Sequence, residues 1–151
     1  MSSINDAWNA VKTRLAAPGS GITIPLRFPG DLTPLPDTPS AYAYVELIND
    51  GSGGGPTAFG GGNGGNLYRN FGAVEIYVFS PLGEGQEVVN GYAETIAAWL
   101  RSYRTEDIFI RSADTRPIGE GSGIAPPGLS NPVNNYQCAL VSAAMTFDQF
   151  G

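Results

Sequence analysis

The chain contains no histidine and one lysine, Lys12, against 14 acidic residues, so its means of doing chemistry are few. Without an imidazole there is no Ser-His-Asp triad, no Cys-His dyad and no histidine metal ligand. Cys138 is the one cysteine, which excludes an intramolecular disulfide and a CxxC metal clip. It lies in an apolar run, where a cysteine is expected to act as a small buried hydrophobe, in a reducing compartment. Carboxylates remain. Glycosidases use two acids roughly 5 to 10 Å apart, and the candidate pairs here are Glu84 with Glu87 and Glu106 with Asp107. The first pair opens a helix, where acids complement the macrodipole, and the second sits in a turn. Both read as solvated charges, and no catalytic residue is assigned.

Cofactor and metal signatures fare no better. Gly83-Glu84-Gly85 follows a strand and precedes a helix, the setting of a dinucleotide fingerprint, but Val88 stands where the third glycine belongs. Glu84 and Glu87 would also repel phosphates at that helix N-terminus. There is no GxxxxGK[ST] loop, the aspartates lack EF-hand spacing, and Gly119, Gly121 and Gly123 read as turn residues. No cofactor and no metal is expected.

The formal charge of −6 gives no chain-wide attraction to DNA or anionic membrane. Four of the eight basic residues, Arg101, Arg104, Arg111 and Arg116, nevertheless fall within 101–116 and could form a local basic strip. No apolar stretch is long enough to span a membrane, and the N-terminus lacks a secretory pattern. At 151 residues, with 42% hydrophobic residues but 21 Gly and 12 Pro, the expectation is one domain, residues 1–151, with a compact core and long loops.

The elements follow from periodicity. Ile4, Ala7, Trp8, Val11 and Leu15 recur at steps of three and four before Pro18-Gly19, predicting an amphipathic helix over 4–16. Residues 22–28 alternate around Pro25, which fits an edge strand or a short extended segment. The proline-bearing stretch 29–40 is expected to cross the surface as an extended arm. Strands are predicted at 41–48 and 73–79 by strict alternation, joined as an antiparallel hairpin whose long Gly-rich tip, 51–65, is expected to be mobile in an isolated subunit. Val88, Val89, Tyr92, Ile96, Trp99, Leu100 and Tyr103 form a helical stripe over 86–103. A short strand at 108–111, a Gly/Pro loop at 117–132 and a central strand at 136–147, covered on both faces, complete an α+β fold with a mostly antiparallel sheet and two helices.

The segment RNFGAVEIYVFSPLGEGQEVVNGYAETIAAWLRSY, from Arg69 to Tyr103, resembles the central block of a bacteriophage tail-terminator family. In that family an Arg or Lys and a Gly precede a strand, the strand ends in a Pro-x-Gly-x-Gly turn, and a helix follows. Here these are Arg69, Gly72, residues 73–79, Pro81-Leu82-Gly83-Glu84-Gly85 and residues 86–103. The N-terminal helix, the Pro-bearing segment and the strand at 41–48 also fall in the family's order, whereas the Gly-rich tip departs from it.

The resemblance implies a structural virion protein, not an enzyme. It would be assembled in the host cytoplasm into a homo-oligomeric, hexameric ring that caps the tail tube protein, joins it to a neck or connector protein and lets DNA pass through its lumen without specific binding. One sheet edge or helix face would meet the neighbouring subunit. Phe59, Leu67 and Tyr68, the apolar anchors near the tip, with Arg69, Arg111 and Arg116, are the candidate interface residues. Two alternatives stay open: a neck or head-completion protein, and a carboxylate-dependent hydrolase or small-ligand module using the cleft beside Gly83–Gly85.

Overall fold

A computed structural model describes residues 4–31, 33–34, 38–49, 57–59, 67–101, 103–106, 108–120 and 136–150. The first helix, α1 (Ile4–Ala16), has Asp6 in its first turn and Arg14 in its last, each complementing the helix dipole, and buries Ala7, Val11 and Leu15. Strand β1 (Leu26–Arg27) follows, then β2 (Tyr42–Asn49), β3 (Thr57–Phe59), β4 (Leu67–Pro81), helix α2 (Gln86–Leu100), β5 (Ile108–Glu120) and β6 (Tyr136–Phe150). The sheet order is β1-β2-β4-β6-β5, with β3 also on β4. All pairings are antiparallel except β1 with β2. The fold is α+β, as the periodicity predicts.

Several boundaries move, each for a local reason. Strand β4 starts six residues before the predicted Ala73, because Leu67 to Gly72 continue the ladder against β6 and Thr57–Phe59 pair with Leu67–Arg69. Gly72 lets β2 come close: a Cβ there would stand 3.0 Å from the Ile48 carbonyl oxygen. Helix α2 ends at Leu100, not Tyr103. Arg101 leaves helical geometry, and the Tyr103 carbonyl accepts the Ile110 N–H of β5 instead. Strand β5 runs far beyond Arg111 and through Pro117, which an edge strand tolerates, with irregularities at Ile110/Ser112 and Pro117/Gly119. Of the Gly-rich tip at 51–65, only 57–59 lie within the described residues, as do only 117–120 of the loop expected at 117–132.

Pro25 has no N–H but its carbonyl accepts from Ala43, which allows the short edge strand β1. Arg27 then anchors the proline-bearing arm, its guanidinium donating to the carbonyls of Thr33 (2.5 Å) and Pro34 (3.2 Å). The turn at Pro81–Gly85 depends on Gly83 (φ 98°) and Gly85 (φ 88°), a backbone region that side chains rarely adopt. Gln137 Nε2 donates to the Gly85 carbonyl at 2.8 Å and ties this turn to the start of β6.

Both helices lie on one face of the sheet. Val89, Ala93, Ile96, Ala97 and Leu100 of α2 join Ala7, Val11 and Leu15 of α1 in one core with Val45, Val74, Ile76, Val78, Ile110, Val141, Met145 and Phe147 of the sheet. The helices are locked to each other by a reciprocal contact. Arg14 donates through Nη2 (2.7 Å) and Nε (3.2 Å) to the Trp99 carbonyl, while Trp99 Nε1 donates to the Arg14 carbonyl at 2.7 Å. The guanidinium also lies 3.6 Å from the Trp99 ring centroid and 4.7 Å from that of Tyr103. A planar cation with two donors converging on one carbonyl oxygen is required here, so Arg14→Lys is expected to recover little of what Arg14→Ala loses. The expected loss is about 1 to 2 kcal/mol, measured by urea denaturation.

Candidate interaction site

Among the described residues no helix lies on the other face of the sheet, and the strand register arranges its side chains in rows. Because directly opposed residues share a face, one row reads Tyr44, Tyr77, Leu140, Arg116 across β2, β4, β6 and β5. The next reads Glu46, Glu75, Ser142, Asp114, and the one after it Ile48, Ala73, Ala144, Ser112. Phe71, Thr146 and Phe109 follow, and Arg69 faces Asp148 at the end.

One end of this face is closed by aromatic packing. Tyr42 stacks on Phe79 (centroids 4.9 Å apart), and Tyr136 meets both edge-on. Cys138 is buried among them, and that burial pushes its thiol up to about 12. It stays protonated near neutral pH and acts as a packing group. At the opposite end Arg69 grips Asp148 with two hydrogen bonds, Nε to Oδ1 and Nη2 to Oδ2, both 2.8 Å. Beside the pair lies a small cleft of about 80 Å³, lined by Arg69, Asp148, Arg104, Glu106, Phe109 and Thr146 among others.

The six anticipated interface residues are thereby separated. Phe59 and Leu67 oppose each other in the β3–β4 ladder, and Tyr68 in the next position is half-buried and shares the helix-bearing side with Asn70. Arg69 points to the other face and is engaged within its own chain by Asp148. Arg111 lies over the Phe71 ring, 5.7 Å from its centroid, and is exposed. Arg116, also exposed, stands five residues along β5, roughly 16 Å away at the rise of a strand. The basic strip is divided as well: Arg101 Nε donates to the Ala113 carbonyl at 3.0 Å, and Arg104 covers Phe109 with its guanidinium 5.2 Å from the ring centroid. Of the acid pairs, Glu84, Glu87 and Glu106 are all exposed, and Asp107 lies outside the described residues.

Sequence reasoning missed Asp148, and it missed the pairing of Glu46 with Glu75. Alternation did put Glu46 and Glu75 on the outward sides of their strands, but their opposition depends on register across the hairpin. The two like charges meet directly, which disfavours the pair. Glu46 is accordingly raised above its ordinary value, by burial first and then by Glu75. Tyr77 donates to Glu75 Oε2 at 3.1 Å, and burial together with Glu75 pushes that phenol up to about 12.

These shifts have opposite consequences for stability. Asp148 is held below its ordinary 3.8, by the Arg69 hydrogen bonds first, so its contribution is present above that value and lost as pH falls through the lowered folded value. Arg69 is 42% exposed, so Asp148→Asn is expected to cost only about 0.5 to 1 kcal/mol at neutral pH, a difference that shrinks in acid. Glu46 behaves in reverse. Folding favours its protonated form, so its destabilising effect is absent below the ordinary 4.5 and grows as pH rises through the raised folded value. Glu46→Gln is expected to gain on the order of 0.5 kcal/mol at pH 7 and nothing in acid, by denaturant titration at both pH values.

No protein-family model matches the chain, and no curated protein sequence matches it. Solved structures do share its fold. One of them aligns with a TM-score of 0.55 and 13% identity over 97% of this chain and 96% of its own length, a likeness of fold alone.

Proposed function

We propose that this chain is a non-catalytic structural subunit that assembles with copies of itself into a ring at the tail–neck junction of a long-tailed phage or tail-like particle. The observation that carries the reading is the block from Arg69 to Tyr103. The part that resembles tail-terminator proteins in sequence coincides with one structural unit, the long strand β4, the Pro81–Gly85 turn and helix α2. Each residue type of the motif has a physical role in that unit. Gly72 admits the neighbouring strand, Gly83 and Gly85 adopt the backbone the turn needs, and Arg69 closes the far end of the ladder through Asp148. The absence of histidine from the whole chain adds support, because it removes the commonest general base.

The purified full-length chain is expected to form a ring of one copy number by mass photometry, or to do so on addition of tail tubes. Antibody labelling of particles in the electron microscope is expected to mark the tail–neck junction. Labelling of the head side of the neck would move the assignment to a head-completion protein, and labelling elsewhere with a monomer throughout would overturn the reading.

A further inference from the structure

The face of the sheet opposite the helices places two carboxylates toward one side and two arginines at the other. Glu46 on β2 and Glu75 on β4 oppose each other, and neither is ion-paired among the described residues. Arg111 and Arg116 stand exposed on β5, at the other side of the same face. From β2 to β5 is three strand spacings, about 14 Å, and from β4 two, about 10 Å, and among the described residues no ion pair joins either glutamate to either arginine. The middle of the face carries small residues, Ser142 and Ala144 on β6 flanked by Ala73 on β4 and Ser112 on β5, all exposed or half-exposed. Their short side chains leave room for the roughly 10 Å separation of face-packed sheets.

Joining copies edge to edge is obstructed at β5. Arg101 occupies the Ala113 carbonyl, residues 103–105 bond to Ile108 and Ile110, and Pro117 offers no N–H. The face is what remains of this side of the sheet. A two-fold axis running along the strands lays the β2 side of one copy over the β5 side of another, with Glu46 above the Asp114 row and so between Arg111 and Arg116, and does so twice by symmetry. We infer that two copies of this chain pack face to face through this surface, Glu46 of each entering between Arg111 and Arg116 of the other with Glu75 beside it. The patch is roughly 20 Å in each direction, below the size of a standard tight interface, so the dimer is weak and salt-sensitive. Asp114 lies between the two arginines on β5 and opposes the contact. This surface is independent of the ring reading.

Reciprocal charge reversal in the full-length chain tests it by sedimentation velocity and native mass spectrometry. The parent chain is expected to dimerise at low salt and to dissociate as salt is added. Glu46→Lys with Glu75→Lys, and separately Arg111→Glu with Arg116→Glu, are each expected to weaken the dimer by roughly a hundredfold. Mixing the two variants should yield a heterodimer, the chain carrying all four changes should dimerise again, and Asp114→Asn should tighten the parent dimer. Circular dichroism melts establish that each variant is folded. Should the Lys variant lose its fold, Glu46→Gln with Glu75→Gln serves in its place, with the same direction of effect. A parent chain monomeric at low salt, variants that dimerise as the parent does, or folded variants that fail to pair when mixed would overturn the proposal. Loss of the ring without loss of this dimer would count against the ring reading alone.

Discussion

Fifteen consecutive residue pairs hold β4 against β6, from Leu67 opposite Phe150 to Pro81 opposite Tyr136. Everything else attaches to this ladder. Strands β2 and β3 use the free side of β4, β5 uses the free side of β6, and α2 crosses the inner face of the ladder. Because side chains alternate, the register also determines which residues face the helices and which do not, and a slip of one residue would exchange the two sets. Val74, Ile76 and Val78 would turn outward and Glu75 and Tyr77 inward. Burial of the apolar set is therefore what specifies the register, and the register is what arranges the charges on the opposite face.

The two faces differ in how far they satisfy themselves. On the helix side apolar residues from both helices and four strands enclose one another, and Arg14 and Trp99 meet each other's backbone carbonyls. The opposite face is closed at its aromatic end and pinned at the other by Arg69 and Asp148. Its middle contains a pair of opposed carboxylates and a strand of exposed arginines. Like charges placed in register lower stability, and native proteins retain such features where a partner or an activity depends on them.

The Pro81–Gly85 turn connects these layers. Its two glycines reverse the chain at the end of the longest ladder and deliver α2 onto the inner face, while Gln137 ties the turn to β6. Local sequence is sufficient to specify a turn there, since few residues other than glycine accept that backbone.

Local periodicity determined the elements. The steps of three and four in 4–16 and 86–103, the alternation in 41–48 and 73–79, and the glycines of the turn depend on neighbours in the chain, and they were legible, up to the exact ends, because helices and strands express their burial locally. The absent histidine and the lone Cys138 bounded the chemistry equally directly. The extent of the strands was a different matter. Leu67 to Gly72 and Ser112 to Glu120 become strand because β6 lies alongside to pair with them, and neither segment states that by itself. The same holds for the interacting pairs. Arg69 with Asp148 is separated by 79 residues and Glu46 with Glu75 sits across a hairpin, so only the tertiary register could bring them together. Sequence spacing records what one element does; which charges meet is decided by how the ladder aligns elements distant in the chain.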